Sequence, residues 1–363
     1  MKLHQIFAAL LAMMLVVSCT TQQPSSPEPI KIGAVFHLTG PAAFWGTGEH
    51  NAVLLAVEEI NTAGGINGRP VELIVEDGKT DFVQVTTALN KLINIDKVPI
   101  IIGPTWFGQA AAPVAEESKT TILSPSTGVT VEREKYFFNL WPTERQEIIP
   151  LVAYIQQQKH KKIAIVYSQN DWSVSMKNNF VDEATKKGLI IVEEFATSPD
   201  ETDFRTLISR IKQLPIDAVY APFAFYPSQG AFSKQAKELD LAMPLYSSDG
   251  TENPELLNAF PAIEDTIYPY PVRGQKEEEF VKKYEAKYGI SAAPSIAHAY
   301  DAVMLATEAL RSGARTSEDF AEYLKNVKGY PGVANTITFE NGRVTQKAHH
   351  IKIVKDGKFA LLQ

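Results

Sequence analysis

The chain has 363 residues, 45% of them hydrophobic and 21% charged, with a formal net charge of −7 and a single cysteine. That acidity argues against nucleic acid or anionic lipid headgroups as partners, and one cysteine excludes an intrachain disulfide. The length exceeds what one hydrophobic core usually holds, so two lobes are expected.

Met1 to Ser18 reads as a signal peptide: a lysine, then an apolar run from Ile6 to Val17 that is too short to span a bilayer but suits a secretory leader. Its end, "VVSC", resembles the lipobox of bacterial lipoproteins, which implies an acylated Cys19 and a protein held on a bacterial membrane, facing the periplasm or the cell exterior. An ordinary signal peptide with a chance cysteine is the alternative. Residues 19–29, rich in Pro, Ser and Gln, read as a flexible tether.

Beyond the tether, apolar β-branched runs alternate with amphipathic stretches. "IKIGAVF", "PVELIVED", "PIIIGP", "TTILSPS", "KKIAIVYS", "LIIVEEF" and "DAVYAPF" read as strands. "HNAVLLAVEEINTA", "FVQVTTALNKLINID", "EIIPLVAYIQQQ", "SMKNNFVDEATKKG", "DFRTLISRIKQL" and "SQGAFSKQAKELD" carry the helical period between them. The alternation implies parallel sheets with right-handed crossovers. It restarts near Lys161, after the Pro-punctuated "NLWPTERQ", which places a lobe boundary near Trp141 and Pro142. Three more helical stretches follow, from Gln275, Ser295 and Thr316, and the chain closes on "NTITFENGRVTQKAHHIKIVKDGKFAL", a hairpin-like pair of strands turning at Asn-Gly.

Several of these segments together resemble the type I periplasmic binding proteins, in particular the leucine/isoleucine/valine-binding branch of ABC-transporter substrate-binding proteins. The segments are "HLTGPAAFWGTGEHNAVLLAVEEINTAGGINGRPVELIVEDGKTD", "IIGPTWFGQAAAPVAEE", "ILSPSTG", "DFRTLISRIKQLPIDAVY" and "ITFENGRVTQKAHHIKIVKDG", in order along nearly the whole chain. The resemblance implies an α/β fold of two doubly wound parallel-sheet lobes joined by three crossover strands. One lobe comprises residues 30–141 plus 272–344, the other 142–271 plus 345–363. It also implies a monomer that closes around a small-molecule ligand without a cofactor and delivers it to an ABC permease, with a ligand-sensing receptor on the same fold as the alternative.

Carried over residue by residue, the resemblance points to a ligand site. Phe107 stands where a serine holds the ligand carboxylate in amino-acid-binding members, and the companion threonine position falls on Gly128, beside Ser126 and Thr127. The position of the acid that receives the ammonium in those members falls on Asp249. Trp45 and Trp172 match aromatic contacts from the two lobes, Trp106 sits in the opening loop and Trp141 at the first crossover, so all four tryptophans map to the cleft or its rim. Phe225 and Tyr226 match a further aromatic loop. Indole rings with one carboxylate suit an amine or quaternary ammonium, or a flat aromatic ligand.

Against an enzyme, the sequence has no G-x-S-x-G, H-E-x-x-H or phosphate loop. His349 and His350 are neighbours on an expected strand and point to opposite faces, so they do not chelate a metal together. His37, at the mouth of the first loop, reads as a structural histidine before it reads as a ligand contact.

Overall fold

The computed structural model describes residues 27–127, 134–292, 294–344 and 348–362. The expected signal peptide, Cys19, the expected tether as far as residue 26, and Gly128 lie outside the described residues.

The first half alternates β1 (Ile30–Phe36), α1 (Ala43–Thr62), β2 (Val71–Asp77), α2 (Phe82–Asn94), β3 (Ile100–Ile102), α3 (Gly108–Ser118), β4 (Thr121–Ser124) and β5 (Phe137–Asn139). α4 (Glu144–Gln157) then opens a second series: β6 (Lys162–Ser168), α5 (Asp171–Lys186), β7 (Ile190–Thr197), α6 (Arg205–Ile211), β8 (Ala218–Tyr220), α7 (Tyr226–Glu238), β9 (Leu245–Tyr246), α8 (Pro254–Ala259) and β10 (Ile267–Pro271). The chain returns through α9 (Gln275–Tyr288), α10 (Ile296–Arg311), α11 (Ser317–Lys325), β11 (Tyr330–Pro331), β12 (Thr336–Ile337), β13 (Phe339–Glu340) and β14 (Arg343–Val344), and ends on β15 (His349–Lys355) and β16 (Lys358–Leu361).

Two seven-stranded sheets result, ordered β13-β14-β5-β4-β3-β1-β2 and β16-β15-β10-β9-β8-β6-β7, one to each lobe. Each repeats the same plan, with its first strand between its second and third. The sheets are mostly parallel, as expected, with antiparallel strands at the end of the chain. β13 runs antiparallel to β14, and β15 antiparallel to both β10 and β16. For the β13–β14 and β15–β16 pairs the cause is local: Asn341-Gly342 and Asp356-Gly357 each put two successive residues in the left-handed region, the two-residue turn that reverses a strand onto itself. The tail is therefore two hairpins, one finishing each sheet, rather than the single pair expected.

The chain passes from the first sheet to the second between β5 and α4, returns between β10 and α9, and crosses again between β14 and β15. Two of these passages touch, the Val272 N–H donating to the Ala348 carbonyl at 3.3 Å. β10 keeps Pro269 and Pro271 although it is an interior strand. The Ile267 carbonyl accepts from Ser247 on the β9 side, so by alternation both prolines turn their nitrogens that way too. β9 pairs with β10 only at Ile267, so no ladder bond is lost there.

Ile32, Val35 and Ile100 to Ile102 are fully buried between helices, each such side chain stabilising the lobe by about 1.5–3 kcal/mol. α1 starts at Ala43, seven residues before the helical period becomes legible at His50. Gly46 and Gly48 obscure that first stretch, and at Gly46 the reason is packing: a Cβ there would lie 2.2 Å from the His37 carbonyl oxygen. The early start places Trp45 on a helix.

Candidate functional site

In both sheets the segments that leave the carboxyl ends of the strands converge. Trp45 follows β1, Trp106 follows β3, Ser126 follows β4 and Trp141 follows β5; from the other lobe, Trp172 follows β6, Ala224 follows β8, and Asp249 and Gly250 follow β9. With Pro294 and Ser295 ahead of α10, these ten residues line one cavity. It lies at the facing points where each sheet's strand order reverses, the place where open α/β sheets leave a crevice. A wider groove of about 630 Å³ runs beside α10 and α11. It belongs to the opposite edge, since Ser317 at the start of α11 accepts from Thr121 at the first residue of β4.

All four indoles are in the wall. Trp45 and Trp106 meet edge to face with centroids 5.2 Å apart, and Trp106 meets Phe225 of the other lobe at 5.7 Å. Trp141 lies 4.8 Å from His298 and 6.5 Å from Tyr270. Trp45, Trp141 and Trp172 are buried, whereas Trp106 is half-buried and holds a left-handed backbone, φ 65°, which a bulky residue adopts only at a cost. The rings leave a cavity of about 20 Å³, room for a water but not for an amino acid.

The polar side of the cavity is acidic. Asp249 is buried on a short 3₁₀ turn, and the Gly250 N–H and Trp141 indole N–H address its carboxylate. Its own backbone N–H donates to Glu147 Oε1 at 2.9 Å. Glu147 and Glu144 occupy the first turn of α4, where the helix dipole favours acids, behind a capping box made by Thr143 and Gln146. Arg343 Nη1 stands 4.0 Å from Glu144. Burial pushes Asp249 up to about 7, with the Gly250 and Trp141 donors opposing. Burial also raises Glu144 to about 7 against the pull of Arg343, and raises Glu147 well above the usual range, Asp249's charge adding to it.

A fourth acid backs the opposite wall. Glu49, one helical turn beyond Trp45, is fully buried; its Oε1 accepts from the Thr105 hydroxyl at 2.6 Å and the Ser295 hydroxyl at 2.5 Å. Burial lifts it to about 7 against those two donors. Behind Trp141, His298 is driven down to about 3 by burial and then by Arg273, so its imidazole is neutral.

The remaining sequence-derived residues take other places. Phe107 packs on His37 with the rings tilted and their centroids 4.7 Å apart, outside the cavity wall. Thr127 also lies outside it: its hydroxyl accepts from the Gly108 N–H at 3.1 Å and its backbone bonds to Asn139. Phe225 reaches Trp106 but does not line the cavity, and Tyr226 packs on the Leu256 and Ile263 cluster. His37 is structural: its Nε2 bonds the Thr105 carbonyl at 2.9 Å and its Nδ1 accepts from the Thr80 N–H.

Residues 29–358 match the family model described as periplasmic binding protein. The chain belongs to that family. It is a binding protein, not an enzyme, and within the family it is of the type I, leucine/isoleucine/valine-binding-like kind. It is 26% identical over 352 residues to a Leu/Ile/Val-binding protein of Rhizobium johnstonii, covering 92% of this chain and 94% of that one. To the leucine-specific-binding protein of Salmonella typhimurium it is 26% identical over 85% of this chain and 86% of that one. Among solved structures, the branched-chain amino acid transporter substrate binding protein of Streptococcus pneumoniae in complex with isoleucine superposes with a TM-score of 0.83 at 24% identity, covering 92% and 99% of the two chains. A solute binding protein of an ABC transporter from Rhodopseudomonas palustris in complex with 3,4-dihydroxy benzoic acid gives 0.82 at 23%, over 92% and 97%.

Sequence reading of this binding protein missed Glu49, Glu144, Glu147, Ser295, Pro294, Ala224 and Gly250. Glu49 had a signal, since it lies four residues after Trp45 and a helix brings such pairs together. Glu144 and Glu147 look like ordinary first-turn acids, and Ser295 carries no mark at all.

Proposed function

We propose that this is the extracytoplasmic solute-binding component of an ABC transporter. It captures a small ligand, an amino acid, amine or aromatic compound, in the aromatic cleft between its lobes and delivers it to the permease. The lobes, residues 30–141 plus 272–344 and 142–271 plus 345–363, hinge at the three chain passages, and the ligand's contacts with both favour the closed arrangement. The observation that carries this reading is the cavity to which both sheets send their carboxyl-edge segments, with four indoles and one carboxylate in its wall among the described residues. The ligands of the relatives named above, branched-chain amino acids and a dihydroxybenzoate, support the size class.

Anything larger than water enters only if the rings part, and Trp106, the half-buried indole on a strained loop, is the one that gives way at least cost. The protein is held at the membrane through an acylated Cys19. Native mass spectrometry of protein purified from its own host tests both statements. A retained small molecule at one per chain, with the mass of a diacylated chain starting at residue 19, is expected. Ligand-free protein that binds nothing from a metabolite extract overturns the solute-binding reading, and an unacylated chain of full cleaved length overturns the anchor.

A further inference from the structure

The acids behind the indoles narrow the cargo. We propose that the cleft takes an organic cation without a carboxylate, a substituted ammonium or a group like it, laid on the indole faces and balanced by acids from both lobes. This rests on the solute-binding reading and specifies its ligand.

Four carboxyl groups surround a cavity that admits about one water: Asp249 in the wall at 7% exposure, Glu147 and Glu144 behind it at 2% and 4%, and Glu49 at 0% behind Ser295 on the other side. Glu49 Oε2 and Glu144 Oε1 have no hydrogen-bond partner among the described residues. The ion pair recorded for these four among the described residues is the 4.0 Å contact of Arg343 with Glu144, and none of the ten lining residues is basic. A carboxylate entering here meets Asp249 in the wall, with three more acids and one arginine behind it, and no basic residue in the lining.

Part of the donor set that would replace a cation is engaged: the Ser295 hydroxyl in the wall donates to Glu49, and the Ser126 hydroxyl is the other one in the lining. The Gly108 N–H at the start of α3 is taken by the Thr127 hydroxyl, and Phe107 brings no hydroxyl to its loop. A neutral aromatic ligand satisfies the rings but leaves the acids uncompensated. A cation does both, since the indole face attracts positive charge and a buried carboxylate is stable only when paired. The raised acids agree with this, being held close to neutrality until something positive arrives.

Calorimetry on the full-length chain at pH 8 decides it, with tetramethylammonium, 2-phenylethylammonium, the neutral isostere 2-phenylethanol, leucine and 3,4-dihydroxybenzoate as probes. At least one of the two cations binds, the neutral isostere binds roughly 10-fold or more weakly, and Asp249→Asn lowers cation affinity by roughly 10- to 100-fold. Glu49→Gln, which leaves the cavity wall intact, also weakens the cation and keeps the variant test independent of any misfolding of Asp249→Asn. Leucine or 3,4-dihydroxybenzoate binding more tightly than both cations overturns the proposal while leaving a solute-binding protein with different cargo, as does cation binding unmoved by both substitutions. Binding of none of the five also counts against the cation class, and the retained-ligand measurement then judges the solute-binding reading separately.

Discussion

The two lobes present the same edge of the same strand order to each other, yet their polar groups are spent differently. In the first lobe the loops after β3 and β4 satisfy themselves: the Trp106 N–H bonds the Ser126 carbonyl, the Gly108 N–H bonds the Thr127 hydroxyl, and the Ser124 hydroxyl bonds the Pro104 carbonyl. What that lobe offers the cleft is mainly ring surface, with Glu49 one layer back. In the second lobe Asp249, Glu147 and Glu144 are crowded together out of water, and two of the three carry carboxyl groups raised to about 7. Shared topology places a site, and it is the hydrogen bonds already made around that site that decide what chemistry remains for a ligand.

The largest expected effect contrasts the two walls as packing. Trp172 belongs to the second lobe's core with Met176, Phe180 and Tyr220, so Trp172→Ala should lower stability by about 3–5 kcal/mol in urea unfolding. Trp106→Gly should change it by less than about 1 kcal/mol, because the half-exposed ring's contacts are offset by relief of its left-handed backbone. Equal losses would mean that the first-lobe ring is as structural as the second.

Charge gives the next effect. Glu49 titrates at about 7 in the folded protein against an ordinary 4.5. A carboxyl raised by folding stabilises fully below its unfolded pKa, and that contribution is lost as pH rises through the folded value. Ligand-free protein should therefore lose stability between about pH 5 and pH 8, and Glu49→Gln should recover up to about 3 kcal/mol at pH 8 while changing little at pH 5. Thermal unfolding at the two pH values checks it, and parallel curves for wild type and variant would place Glu49 in contact with water.

Smaller again is Thr127→Val, which leaves the Gly108 N–H without its acceptor and should cost about 1–2 kcal/mol. No loss in chemical unfolding would mean that the first-lobe loop does not depend on this bond.

The fold was legible because the strands and helix bodies obey their periods, and the four tryptophans were legible because the resemblance fixed their order along the chain. The first turns of the helices were not. α1, α4, α5 and α7 begin at Ala43, Glu144, Asp171 and Tyr226, each ahead of the point where apolar spacing shows, and these turns carry Trp45, Glu144 and Glu147, and Trp172. A helix's opening turn at the cleft faces a cavity instead of a core, so it has no apolar stripe to read. The spent donors of the first lobe were hidden for another reason: the bond from Gly108 to Thr127 joins residues 19 apart, and nothing in the order of the sequence signals it.

Intrinsic tryptophan emission tests the central claim most directly, because all four reporters line the cavity. Saturating the protein with a ligand that calorimetry shows to bind should shift emission strongly, and Trp45→Phe, Trp106→Phe and Trp172→Phe should each diminish the shift. Saturable binding with unchanged emission in the wild type and in every variant would place the ligand somewhere other than among these rings.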